Sequence, residues 1–172
     1  NGDVVTIKAN ETSTTYSVKT TDNAYVDNAD KSITLTGFAD ATANHFGLEV
    51  VNVNNATASV TPSDVLTNTI VTVTAAPVVE GNDAVFTISV NNAPTSDLKL
   101  KLDNGDVVTI KANETSATYS VKTIDNAYVD NAAKAIAVTG FADPAANHGG
   151  LEAVDVTNAK ATVTPSDVLT NT

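Results

Sequence analysis

The chain predicts an all-β fold, an antiparallel β-sandwich of about seven strands per repeat, with repeats joined in tandem. Two observations carry this reading. Apolar and polar residues alternate with a period of two through most of the chain, with no helical stripe. The sequence also repeats: residues 1–69 return as residues 104–172 without insertion or deletion, differing at 14 of 69 positions. The offset, 104 − 1 = 103 residues, is the size of one small domain.

The strands follow in order along residues 70–172. Val71 and Val73 alternate with threonine before Pro77. Ala84, Phe86, Ile88 and Val90 alternate with Val85, Thr87 and Ser89, and Leu98, Leu100 and Leu102 with Lys99 and Lys101. Val108 and Ile110 alternate with Thr109 and Lys111, and Tyr119 and Val121 with Ser120 and Lys122. Ile136 and Val138 flank Ala137, and Ala159, Ala161 and Val163 alternate with Lys160 and Thr162. Differences between the copies fit this assignment. Thr14 pairs with Ala117, Ser32 with Ala135, Thr34 with Ala137, Thr57 with Lys160 and Ser59 with Thr162, all at outward positions. Leu35 pairs with Val138 at an inward position and stays apolar. A half-buried sheet imposes that division, because slipping by one residue would turn every side chain to the wrong face.

The repeat frame divides the chain into a partial unit, residues 1–69, and a complete one, residues 70–172. The partial unit lacks a counterpart of residues 70–103 and begins within the Asn-Gly turn that recurs at Asp103-Asn104-Gly105-Asp106. A fragment of a longer array is expected, with residues 1–69 stable only where strands from elsewhere cover an open sheet edge. Counting alternate turns places Glu80-Gly81-Asn82-Asp83, 103–106, 123–133 and Pro165-Ser166-Asp167 at one pole of the unit, away from the end where the first strand begins.

Twenty acidic residues against nine basic ones give a net charge of −11. No basic patch exists to neutralise phosphate, so neither nucleic acid nor a direct membrane contact is expected. No run of eighteen apolar residues occurs, and no signal peptide is visible. Cysteine is absent, which removes disulfides and thiolate metal sites. A small β domain without disulfides needs another staple, and bound cations supply one.

The predicted pole gathers Glu80, Asp83, Asp103, Asp106, Asp125, Asp130 and Asp167. Carboxylates brought together repel unless a cation neutralises them. Hard oxygens from carboxylates, asparagine and backbone carbonyls are the ligand set of Ca2+, whereas Mg2+ asks for a stricter octahedron and more water. The loop Asp125-Asn126-Ala127-Tyr128-Val129-Asp130 offers such donors, as does its first copy with Asp22, Asn23, Asp27 and Asp30. The alternative is a solvated acidic rim. A second possible cation site is the junction, where Asp64 precedes the next unit without a flexible spacer and meets Asp97, Asp143 or Glu152; an apolar joint held by Val65 and Leu66 is the competing reading. His45 and His148 each stand alone in an Ala-Asn-His loop and read as surface residues. No Ser-His-Asp set, phosphate loop or arginine suggests catalysis, and no cofactor other than Ca2+ and no small-molecule substrate is expected.

Three stretches carry a family resemblance: Val78-Val79-Glu80-Gly81, the loop 125–130 after Glu114-Thr115-Ser116-Ala117-Thr118-Tyr119-Ser120-Val121, and Ala161-Thr162-Val163-Thr164-Pro165-Ser166-Asp167. They resemble Calx-β-like sandwich repeats and, more closely, the Ig-like extender repeats of giant bacterial RTX adhesins of the biofilm and ice-binding type. The resemblance covers residues 70–172 and part of 1–69. It implies Ca2+ ligands at Glu80, Asp125, Asn126, Asp130 and Asp167, and at Asp22, Asn23, Asp27 and Asp64. The loop is sparser in carboxylates than the Calx-β pattern, and Ala133 stands where the first copy has Asp30.

The expected function is a non-enzymatic extender whose partners are the neighbouring repeats of the same chain. The resemblance implies export by type I secretion to the bacterial surface and stiffening by external calcium, holding distal adhesive domains away from the cell. The competing class is a carbohydrate- or protein-binding module that uses repetition for avidity.

Overall fold

The computed structural model describes residues 1–40, 45–128, 131–144 and 148–168. Two compact units emerge: one of Asn1–Asp22 and Asp27–Val65, the other of Asn23–Val26 and Leu66–Thr172. Among the described residues, all regular structure is β apart from short 3-10 turns at His45–Gly47 and His148–Gly150. Among the described residues, no helix is long and apolar enough to cross a membrane.

The first unit holds two strands, β1 (Lys31–Thr34) and β2 (Thr57–Val60), paired antiparallel. The second holds β3 (Asn68–Ala75), β4 (Asp83–Val90), β5 (Leu98–Leu102), β6 (Val107–Ile110), β7 (Ser116–Lys122), β8 (Lys134–Phe141), β9 (Ala153–Asp155) and β10 (Lys160–Val163). They form two sheets of four, in the orders β7-β4-β3-β9 and β10-β8-β5-β6. The predicted alternation is what each strand buries. β4 shows Ala84, Phe86, Ile88 and Val90 to the interior, and β5 shows Leu98, Leu100 and Leu102. These meet Val71, Val108, Ile110, Ile136 and Val138 in one cluster between the sheets, which is the core of a β-sandwich. Burying each large aliphatic or aromatic side chain contributes roughly 1.5–3 kcal/mol.

Seven strands were expected in the complete unit, and an eighth is present. β9 is three residues long and pairs parallel with β3, Asn68 opposite Ala153 and Ile70 opposite Asp155. Its three side chains are all half-buried, so it has no alternation to detect. A bulge between Lys101 and Leu102 shifts the register of β5 against β8.

The two copies form a controlled comparison. β1 and β2 match residues 134–137 and 160–163, and both pairs adopt the same register: Lys31 opposite Val60, Lys134 opposite Val163. Residues 4–7 and 13–19, which match β6 and β7, form no strand. The difference lies in the partners. β6 pairs with β5 and β7 with β4, and residues 1–65 contain no counterpart of either. Ile7 is consequently 57% exposed, while its counterpart Ile110 is 0% exposed.

Short-range features survive in both copies. Asn1 Nδ2 donates to the Tyr16 hydroxyl at 2.7 Å, and Asn104 Nδ2 to that of Tyr119 at 2.6 Å. Each tyrosine in turn donates to an aspartate, Asp3 or Asp106. His45 stacks on Phe38 and His148 on Phe141, with ring centroids 4.4 and 3.8 Å apart. One difference between the copies has a steric cause. Gly149 has φ +72°, and a Cβ there would lie 2.8 Å from Pro94 Cβ and 2.9 Å from the Ser96 carbonyl oxygen. Phe46 occupies the matching position in the first copy, where it is exposed.

Ile110→Ala should therefore destabilise the second unit by about 2–5 kcal/mol, whereas Ile7→Ala should leave stability within about 0.5 kcal/mol of the parent. Denaturant unfolding of both variants measures the contrast. Equal losses would show that residues 1–22 contribute an unrecognised core.

Candidate metal centre

The connection from β3 to β4 and the segment following β10 run side by side. Val79 and Ser166 form a parallel bridge; Ser166 N donates to the Val78 carbonyl and Glu80 N to the Ser166 carbonyl, each at 2.9 Å. Pro165 is buried beside this bridge. The pairing draws Glu80 inward until it is 4% exposed. Its Oε1 accepts the Val168 amide at 2.8 Å. Its Oε2 is buried and has no hydrogen-bond partner among the described residues. A carboxyl oxygen withdrawn from water and left unsatisfied costs on the order of 1–3 kcal/mol, so this atom is a candidate hard donor.

The loop after β7 is tied to the same turn. The Thr123 hydroxyl donates to the Asn82 carbonyl at 2.6 Å. Gly81, with φ +78°, lies so near that a Cβ there would be 3.0 Å from Asp125 Cβ. Absence of a side chain at Gly81 lets the Asp125 carboxylate approach the Glu80 turn. Asn126 Oδ1 accepts the Tyr128 amide at 2.7 Å, closing a local turn. From the far side of the loop, Asn131 Nδ2 donates to Asp167 Oδ1 at 2.6 Å. Glu80, Asp125, Asn126 and Asp167 thus come from three separated segments to one end of the sandwich. Among the described residues, Glu80, Asp125 and Asp167 do not draw their oxygens within 4.8 Å of one another as a triad. Asp130, also expected here, lies outside the described residues.

The other expected ligands are placed as follows. Asp83 opens β4 opposite Lys122 and is exposed. Asp103 donates its amide to the Ala137 carbonyl at 2.9 Å, in the β5–β6 turn beside the Asn104, Asp106 and Tyr119 knot. The Asp106 carboxylate accepts the Tyr119 hydroxyl proton and so raises that phenol above its ordinary value. In the first unit, Asp22 and Asp64 each bring a carboxylate oxygen within 4.8 Å of the other, both exposed. Asp30 accepts the Thr61 hydroxyl. Asn23 Oδ1 accepts the Tyr25 amide at 2.7 Å, and Asp27 is exposed. Of the acids considered for the junction, Asp97 is engaged by Lys111 at 2.8 Å and by the Ala112 amide at 3.2 Å. Glu152 Oε2 accepts the Thr67 amide at 2.9 Å.

The contributions of Thr123 and Asn131 had no sequence signal, since threonine and asparagine abound in this chain. The donor set is wholly oxygen, without imidazole or thiolate, and so suits a hard cation. His148, expected as a surface residue, is half-buried, with its ring stacked on Phe141 and its Nε2 withdrawn from water.

The sequence family described as the LapA domain matches residues 67–168. No curated protein and no solved structure matches the chain.

Two measurements test this geometry. Gly81→Ala should destabilise the unit by about 1–2 kcal/mol, the cost of a side chain in the left-handed region, with the crowding against Asp125 adding to it. A thermal melt that does not move would contradict the close approach. For Asp97, the Lys111 ammonium first and the Ala112 amide second hold the carboxyl below its ordinary value of 3.8. Its stabilisation is accordingly present above that value and lost as pH falls through the lower folded one. An NMR titration should place the Asp97 midpoint below 3.8 and return it towards 3.8 in Lys111→Ala.

Proposed function

The chain belongs to the LapA domain family, that of a large bacterial cell-surface adhesin of biofilms, and on this premise we propose that it is a non-enzymatic, Ig-like extender repeat stiffened by calcium. The observation that carries the reading is Glu80. Its buried Oε2 has no hydrogen-bond partner among the described residues, and it stands where the first and last segments of the unit are pinned together. A cation there would be held by Glu80, Asp125 and Asp167, with Asn126 and Asp130 as further oxygen donors. In the first copy, Asp22 and Asp64 correspond to Asp125 and Asp167, with Asn23 and Asp27 beside them.

The ion would act as a clasp. It would neutralise carboxylates that otherwise repel and would tie the β3–β4 turn, the loop after β7 and the tail beyond β10 to one centre. Near-identical copies suit a part that sets length, because length is gained by duplication and a specific site is not. Export by type I secretion fits a fold whose staple is an external ion rather than a disulfide. The repeats then hold distal adhesive domains away from the cell.

Calcium binding only the folded state would stabilise it by about 2.7 kcal/mol at a hundredfold excess over Kd. For one unit of this size that corresponds to a rise in Tm of roughly 10–20 °C. EDTA should reverse the rise, and Glu80→Gln combined with Asp125→Asn should abolish it. A melting curve identical in calcium and in EDTA would refute the calcium clasp.

A further inference from the structure

The second compact unit includes four residues distant from the rest of it in sequence, Asn23–Val26. They lie along the residues that lead into β9. Tyr25 and Leu151 form an antiparallel bridge. Val26 N donates to the Gly150 carbonyl at 3.2 Å, and Glu152 N donates to the Ala24 carbonyl at 3.0 Å. Ala24 is 5% exposed, and Tyr25 packs against the hydrophobic core. The segment is thus a strand-like plug, held by main-chain bonds and seated through a small side chain.

The same residues recur one repeat later as Asn126-Ala127-Tyr128. They already have the plug's local shape: the Tyr128 amide donates to Asn126 Oδ1 at 2.7 Å, as the Tyr25 amide does to Asn23 Oδ1. Yet Ala127 is exposed and Tyr128 is 72% exposed. The receiving sequence Gly150-Leu151-Glu152 also recurs, as Gly47-Leu48-Glu49, where Leu48 is exposed.

We propose that residues 126–128 are a preformed docking surface for a further copy of this repeat, which receives them on its own Gly-Leu-Glu segment. The occupant is identified by its seated twin, since Asn23-Ala24-Tyr25 shows the same three side chains on that edge. Recognition is by strand addition, in which main-chain bonds supply the affinity and alternate side chains the fit. A plug that keeps one shape when free avoids part of the ordering cost of binding. Alanine suits the central position because a longer side chain would have to enter the space where Ala24 is buried. The inference rests on the extender reading only in requiring a following repeat. A rod with joints of another kind would leave that reading standing.

The test is amide hydrogen exchange on the 172-residue chain and on the same chain lengthened by a further copy of residues 70–172. In the native chain, Ala24→Arg should speed exchange at the Glu152 amide about tenfold or more, because opening that bridge no longer requires breaking the plug's bonds. Ala127→Arg should leave the amides of the native chain unchanged. In the lengthened chain, Ala127→Arg should speed exchange about tenfold or more at the appended repeat's counterpart of Glu152. Tyr128 should also resist nitration there unless Ala127 is replaced. If that counterpart exchanges equally fast with alanine and arginine at position 127, or if Tyr128 stays fully reactive, the docking surface is overturned. Ala127 is exposed in the native chain, so its arginine variant keeps the fold and the result is readable. Small-angle scattering of the lengthened chain reports the extender reading separately.

Discussion

A β-strand cannot satisfy its own hydrogen bonds, and the rest of this structure depends on where the partners come from. β4 and β5 are the central suppliers. β4 lies between β3 and β7, and β5 between β6 and β8. Where both are present, the apolar sides of their neighbours close over Phe86, Ile88 and Leu100 into one core. Residues 1–65 have counterparts of β6 and β7 with the same patterning but none of β4 or β5, and those counterparts stay unpaired. The pair β1–β2 forms because both its strands are at hand. Strand propensity is the same in the two copies, so long-range pairing decides the difference.

The end of the sandwich obeys a related constraint in electrostatic form. The bridge between Val79 and Ser166 pins the beginning of the unit to its end, and that same bridge forces the Glu80 carboxylate out of water. One oxygen is compensated by the Val168 amide, and the other has no partner among the described residues. Asp125 and Asp167 add negative charge from two further segments. A fold that concentrates uncompensated charge where its segments converge is less stable without a counter-ion than with one. Topology and charge thus act on the same few residues, so strand closure and ion binding would be coupled.

Much of this was legible in the amino-acid order because it is periodic. Inward positions such as Phe86, Leu100 and Ile110 announce themselves by alternation, and most differences between the copies respect it; Thr14 was expected to face outward, but its match Ala117 shares the face of Tyr119 and Val121 and packs against the core. Four of the expected ligands, Glu80, Asp125, Asn126 and Asp167, do come to one end of the unit. What stayed hidden lacks periodicity. β9 is short, half-buried throughout and paired parallel, so neither alternation nor turn counting could find it. The seating of Asn23–Val26 is a contact between segments more than a hundred residues apart in sequence, with no hydrophobic run to mark it. Asn131 on Asp167 is one asparagine among many.

Gly149 bears on how such a sequence can change. Tandem copies this alike are substrates for unequal recombination, which lengthens or shortens an array by whole repeats. A crossover that joined the Phe46 version to a segment like residues 70–103 would set a phenylalanine where Pro94 leaves 2.8 Å for a Cβ. The glycine version fits behind that proline as it stands, and a phenylalanine there requires the segment around Pro94 to shift. Exchange between copies at this position is therefore tied to the loop before β5, which must change shape when the residue behind it changes.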